Sequence, residues 1–446
     1  MVMIDGDREL LISGCNPGAG GLFALGTAGV RMLDRLHTHG LAVRNGLLYR
    51  VMACQEHTRP ASDLLVYDHA GVRRFNRLDD VGGPHDVIPR DGDALISSSM
   101  ANAVFSIRDD GEKSTFWQAG MPEDSWHLNC LLEVSGELYA TAFGTFDQHR
   151  AWARDPRAAT GVLLRLPSAE VVLRGLTQPH TPRRLGDAWL VCNSALKEVA
   201  VYDDRGAVQQ RREFAGYTRG IAYDERYLYV GESASRHINR GVTQASRVTV
   251  LERADWSVVD AFEVDAAEIY ELALVPKELV GGAAIGFRTN ATRVEQLDQL
   301  AMFASVGVTP RRLWAIGEPL PTSSLRASFE AEIPVAAAVD DVIIVPCRVT
   351  NAGNAIFVSA PPNPIQFCYR WFDESGTPVG AGEWIHTPLP RALPPGDTVD
   401  GAVRVGAPHA PGTYTLAVTL LQEGVAWFDD LSRSSGARGL VVVAPR

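Results

Sequence analysis

Histidines recur along this chain at a spacing that no single helix or strand explains. His39, His85, His127 and His180 each precede a few apolar residues, a turn with Gly or Asp, and a second apolar run. Arg219 opens a fifth stretch of this kind and Glu271 a sixth, at steps of 46, 42, 53, 39 and 52 residues. Neutral imidazoles are common ligands of Fe, Zn, Cu, Mn and Ni. His39, His85, His127 and His180 are therefore a candidate set for a divalent metal, whose bound water would serve as base or nucleophile near neutral pH. Without a metal, His127, His180 and Glu271 could do general acid–base work, as in β-elimination or epimerisation. Arg219 and Arg183 would then hold a carboxylate or sulfate of the substrate. The plain alternative is that a duplicated histidine only bonds the backbone of a neighbouring repeat.

A repeat of this length is that of a four-stranded propeller blade. The first strand of each blade lines the central channel, so one residue per blade at one register converges on the axis. The sequence predicts an all-β chain: a six-bladed β-propeller over 1–308, a linker over 309–324 and an immunoglobulin-like β-sandwich over 325–446. The blades fall near 37–79, 83–121, 125–173, 178–214 and 217–263, with a last one shared between 267–288 and 8–36. Residues 8–36 match second, third and fourth strands and have no first. The N-terminal strands should therefore close the last blade, removing an open edge. Apolar Val294, Leu297, Leu300, Ala301 and Phe303 share a face and predict a helix at 292–306. Beyond 325, alternating strands between Gly, Pro and Asn turns fit the sandwich.

Other polar residues near the repeat are candidates for substrate contact. Trp126 and Asn129 flank His127 and could stack on and bond a sugar ring, or Trp126 could pack between blades. Asn193 and Glu232 sit on second strands, where they could orient His180 and Arg219 or cap neighbouring strands. Two insertions, 143–161 and 233–247, follow second strands and should emerge at one end of the channel; the first reads as a lid or binding wall. Arg236, His237 and Arg288 read as solvated surface charge or remain open.

Composition narrows the class. The 446 residues are 46% apolar and 21% charged, as in globular proteins, and the net charge of −11 argues against nucleic acid, which needs a basic footprint. No window carries the roughly 18 consecutive apolar residues of a membrane helix, and the acidic start MVMIDGDRELLISG is unlike a signal peptide. The expectation is a cytoplasmic protein. The six cysteines are dispersed with no C-x-x-C pair, which excludes zinc-finger and thioredoxin patterns. Oligomeric state is not legible.

Several blocks resemble known propellers. Pro84-His85-Asp86-Val87 and closing runs such as Val201-Tyr202-Asp203-Asp204-Arg205-Gly206 look like virginiamycin B lyase and, more distantly, the gluconolactonase and strictosidine synthase group, and Pro179-His180-Thr181-Pro182-Arg183 belongs with a further set of blocks. Together with Trp126-His127-Leu128-Asn129-Cys130, Leu138–Gly144, Val191–Ser194, Arg219–Ala222 and Val230–Arg236, they resemble an uncharacterised family of bacterial propellers over roughly 8–320. That resemblance implies the fold and no settled activity. The lyase's catalytic His and acid do not map residue by residue, and of the gluconolactonase calcium set only Glu271, Asn193 and Glu232 could play parts. Tyr369–Phe372, Leu393–Gly396, Ala407–Tyr414 and Glu423–Phe428 are similar to glycan-binding tail domains of polysaccharide exporters. Two functions follow as expectations. One is a metal-assisted or acid–base lyase, isomerase or hydrolase acting on an anionic glycan or metabolite. The other is a non-catalytic glycan- or protein-binding module in cell-surface polysaccharide production.

Overall fold

The computed structural model describes all residues except 1–3, 5, 17–18, 55–59, 121–122, 236–237, 239–244, 288–292, 306–308, 310, 312–315 and 381–384. The second insertion therefore falls largely outside the described residues, as do Arg236, His237 and Arg288. The chain divides into two compact units, Met1–Ala301 and Met302–Arg446.

Short β-branched and aromatic runs between Gly, Asn and Asp turns give the first unit six four-stranded antiparallel sheets among the described residues. In five of them the strands follow chain order. Their innermost strands are Leu41–Arg44, Pro84–Arg90, Leu128–Val134, Pro179–Leu185 and Tyr217–Tyr223. The sixth combines Glu268–Pro276 from the far end of the unit with Arg8–Cys15, Gly21–Gly26 and Gly29–Asp34 from its start. Arg8–Cys15 pairs antiparallel with Glu268–Pro276, with Leu10 opposite Leu274 and Leu11 opposite Ala273. The innermost strands touch one another in cyclic order, the last returning to the first. This is a β-propeller whose N-terminal strands complete the final sheet.

Between neighbouring sheets lie apolar layers. Leu95 and Val104 of one sheet meet Leu128, Leu138 and Leu164 of the next, all buried, and each full burial of such a side chain is worth about 1.5–3 kcal/mol. Hydroxyls on second strands tie the sheets together at the axis. Ser13 Oγ donates to His39 O (2.7 Å) and accepts from Glu271 N (2.8 Å). Ser97 Oγ accepts from Asp86 N (3.0 Å) and donates to Asn129 O. Ser194 Oγ donates to Thr218 O (2.6 Å).

The segment after Glu271 is not a second strand. Lys277–Gly286 is a helix entered through Pro276, and the second strand comes from Arg8–Cys15. Gly282 lets this helix dock, since a Cβ there would lie 1.9 Å from Asp68 O. A second helix, Arg293–Ala304, buries Leu297 and Leu300.

The second unit places a three-stranded sheet (Ala327–Ala331, Val342–Asn351, Thr398–Gly406) against a larger one built on Ile365–Phe372, Gly412–Gln422 and Gly436–Ala444. Strict alternation along Val342–Asn351 turns Val345, Cys347 and Val349 into a shared core with Phe367, Trp371 and Val403. Trp371 Nε1 donates across it to Gly406 O (2.8 Å). Cys347 and Cys368 are both free thiols.

One buried ion pair fixes the connector that enters the second sheet. Arg50 donates to both carboxylate oxygens of Asp34 (2.7 Å each), to Leu36 O (2.7 Å) and to Thr38 Oγ1 (2.9 Å), and both charged side chains are fully buried. Removing one partner strands the other charge in the core. Asp34→Ala is expected to lower unfolding stability by about 3–5 kcal/mol in a denaturant titration of the full chain; an unchanged midpoint would contradict this role.

Candidate functional site

The repeated position does converge. His39, His85, His127, His180 and Arg219 meet on the axis, and all are buried. Their sixth neighbour is Tyr270, not Glu271. The Tyr270 ring lies 4.7 Å from that of His39 and 5.0 Å from that of His85, with its hydroxyl 3.1 Å from His85 Nε2. Arg219 stacks over Tyr270 (4.4 Å) and Tyr217 (5.2 Å) and reaches Glu268 at 3.4 Å. Side chains alternate along a strand, so the one-residue difference turns Glu271 into a different layer.

Hydrogen bonds fix how the histidines present their nitrogens. His127, held at a left-handed φ of 49°, donates from Nδ1 to Asp124 (2.7 Å). His180 donates from Nδ1 to Gln178 O (3.0 Å) and lies 2.8 Å from Ser194 Oγ. In both imidazoles Nδ1 is thereby the nitrogen that faces the supporting oxygen, and Nε2 points the other way. The first insertion covers this end: Trp152 lies 4.4 Å from His127, Phe143 lies 4.3 Å from His127 and 5.2 Å from His180. Trp152 Nε1 donates to Asp124 O (2.8 Å) and Arg150 pairs with the Asp124 carboxylate (3.3 Å). Burial, and then the nearby His127 and Arg219, push the His85 pKa well down, so His85 is neutral.

Among the four histidines, the His85 ring meets those of His127 edge-on and His180 stacked, at 5.1 and 5.9 Å. Among the described residues, the group whose ligand atoms all lie within 4.8 Å of one another is Cys15, His37 and His39, a cluster that could hold a metal ion.

A second layer lies further along the inner strands, one residue on for Asp86 and Glu271 and three for Arg183, past a register shift between His180 and Arg183. Asp86, Arg183 and Glu271 line an axial cavity of 360 Å³ whose wall takes residues from all six innermost strands, and none of the histidines lines it. Arg183 donates to Glu271 Oε1 (2.9 Å) and to Ile221 O (3.0 Å). Glu271 Oε1 also accepts from Leu272 N (2.8 Å). Asp86 accepts from Val87 N and Leu131 N (2.8 Å each). Burial, and then the Glu271 charge, push the Asp86 carboxyl up to about 8. Burial also raises Glu271, against the opposing pull of Arg183. Two carboxyls thus face one guanidinium, and near neutral pH the pair retains a proton.

The remaining candidates are engaged elsewhere. Trp126 packs with Trp117 (5.8 Å) against the apolar layer between sheets. Asn129 folds its amide back onto its own strand, bonding His127 O (3.1 Å), Cys130 N (2.6 Å) and Thr141 Oγ1 (2.5 Å). Asn193 bonds Thr177 N, Glu198 and Tyr202, and not His180. Glu232 clamps Arg247, Thr249 and the amides of Ala215 and Gly216, while Arg219 takes Glu268. Sequence reasoning missed Tyr270, Asp86, Cys15 and His37. The signals were present in His85-Asp86 and in the alternation His37-Thr38-His39.

Residues 78–280 match the family described as "Domain of unknown function (DUF4915)". No curated protein matches. Among solved structures the chain is similar to the nidogen/laminin complex, at 11% identity and TM-score 0.43, covering 60% of this chain and 98% of that one. It is also similar to a protein of unknown function from Bacteroides caccae, at 11% and 0.43, covering 60% and 99%. A third is virginiamycin B lyase from Staphylococcus aureus, at 11% and 0.33, covering 51% and 70%. The fold assignment stands on the strand pairing described above. Among the described residues no helix is long and apolar enough to cross a membrane.

The acid pair sets a pH dependence. Asp86 holds its proton in the folded state up to about 8 and releases it near its ordinary 3.8 when unfolded. Between those values the native state binds more protons, so stability falls as pH rises. Asp86→Asn is expected to flatten that slope in denaturation measured from about pH 4 to about pH 8. An identical slope in the variant would contradict the assignment.

Proposed function

We propose that the first unit is a six-bladed propeller enzyme whose axial cavity performs acid–base chemistry on an anionic small molecule or glycan residue. The observation that carries this is the layer of Asp86, Glu271 and Arg183 at the cavity wall, with both carboxyls raised by burial. A carboxyl whose pKa sits near the working pH can both give and take a proton, and buried titratable groups with perturbed pKa values cluster at functional sites. Asp86 and Glu271 exchange protons with the substrate, and Arg183 supplies the cation for its carboxylate or sulfate. Lyase, isomerase and hydrolase reactions all fit a proton relay of this kind. His127, His180 and Arg219 act from the layer behind, as positioning residues. A transition metal, whether Fe, Zn, Cu, Mn or Ni, takes no step in this acid–base reading; the cluster that could hold one is Cys15, His37 and His39. The second unit is read as an immunoglobulin-like sandwich, and the chain as cytoplasmic.

One observation favours the second reading, a non-catalytic glycan- or protein-binding module. Both oxygens of Asp86 and Oε1 of Glu271 already accept backbone N–H groups, as structural carboxylates do.

Turnover decides between the two. Wild-type chain would be screened against sugar acids and sulfated or carboxylated metabolites, with Asp86→Asn, Glu271→Gln and Arg183→Ala alongside. The enzyme reading expects turnover of an anionic compound. It expects kcat to fall by at least about 100-fold in each carboxyl variant, and KM to rise in Arg183→Ala. Full activity in an Asp86→Asn/Glu271→Gln double variant would overturn the acid–base assignment, and retention of ligand without turnover would favour the binding module.

A further inference from the structure

We propose that Cys15, His37 and His39 form a binding site for a thiophilic metal ion of the zinc(II)/copper(I) class. The site lies beside the axis but in the other layer from Asp86 and Glu271, and it stands independently of the acid–base reading.

The three ligand atoms lie within 4.8 Å of one another and all three residues are buried. Cys15 Sγ is 3.7 Å from His39 Nε2. In a tetrahedral site, metal–sulfur and metal–nitrogen distances of about 2.3 and about 2.0 Å put S and N about 3.5 Å apart. The sulfur and imidazole therefore already stand at nearly the separation that a shared ion requires. His37 Nε2 donates to Ala53 O (3.1 Å). A carbonyl only accepts, so that bond has His37 donating from Nε2, and a ring N–H held by a backbone carbonyl is the outer-shell arrangement usual for metal-bound histidine.

The backbone holds this constellation rigidly. Cys15 ends the strand that closes the ring, and His37 and His39 sit on the connector that follows Asp34. Thr38 N donates to Gly14 O (2.8 Å) and His39 N donates to Val51 O (3.0 Å), pinning the connector between two strands. Thr38 Oγ1 takes the Arg50 guanidinium, and in an extended segment its two neighbours project to the opposite side together. Gly20 leaves the space that His37 fills, since a Cβ there would lie 2.7 Å from His37 Cβ. One thiolate with two imidazoles selects soft or borderline ions over the oxygen-preferring Mg, Ca and Mn. It also leaves a coordination position for water or an exogenous ligand.

The full chain would be stripped with chelator under reducing conditions and titrated with Co(II) as a spectroscopic stand-in for zinc, then with Zn(II), Cu(I) and Mn(II). The expected result is one Co(II) per chain with a near-ultraviolet thiolate charge-transfer band, displaced by Zn(II) or Cu(I) but not by Mn(II). Cys15→Ser abolishes the band, His37→Gln and His39→Gln each weaken binding by at least about 10-fold, and Cys347→Ser changes nothing. X-ray absorption of the zinc-loaded wild type needs no variant to fold. It should show a sulfur scatterer at about 2.3 Å and nitrogens at about 2.0 Å. No thiolate band in the wild type, a band that survives Cys15→Ser, or a zinc shell without sulfur would overturn the proposal. None of these readouts uses turnover, so this assignment and the acid–base reading fail separately.

Discussion

Closure of the ring is the constraint on which the rest depends. An open array of four-stranded sheets would leave two unpaired edges and no axis. Here the strand Arg8–Cys15 pairs with Glu268–Pro276 and joins the two ends of the unit. The same pairing delivers Ser13 to the backbone of His39 and Glu271, Cys15 to His39, and Tyr270 and Glu271 to the axis. Without it neither layer of the axial site has its full set of groups.

Charges gathered on an axis must be partnered, because an unpaired buried charge costs several kcal/mol. Each axial cation has its acid: Arg219 with Glu268 and Arg183 with Glu271. One acid, Asp86, is left without a cation of its own, and it is the one whose pKa rises most clearly. In the histidine layer burial holds His85 neutral, and His127 packs under Phe143 and Trp152. A histidine layer and a cavity-facing layer with Asp86, Arg183 and Glu271 thus share the same inner strands.

Much of this was legible in the sequence, because repetition is a strong signal. The steps between His39, His85, His127, His180 and Arg219 located five innermost strands, and the missing first strand of residues 8–36 announced the closure. The insertion 143–161 does cover the histidines. Where the reading failed, the period or the direction of a side chain was at fault. The sixth copy lacks its own second strand, since Lys277–Gly286 turns helical. With no pattern to fix the register, Glu271 was placed where Tyr270 stands. A register shift between Leu128 and Leu131 folds Asn129 back onto its own backbone, which spacing alone does not reveal. Asn193 and Glu232 stand on the strands expected, but their side chains turn to the neighbouring strands Glu198–Tyr202 and Ser246–Glu252 and to nearby loop amides, away from His180 and Arg219. Asp86 was hidden because only one copy carries an acid after its histidine. His37 was hidden because it lies outside the repeat.

The central claim is that a buried carboxyl at the axial cavity keeps its proton at neutral pH. Infrared difference spectroscopy across a pH titration reads this directly through the protonated carboxyl C=O stretch. The account expects such a band in the wild type at neutral pH, lost as the pH passes about 8 and missing in Asp86→Asn. A wild-type protein with every carboxyl ionised by neutral pH would contradict it.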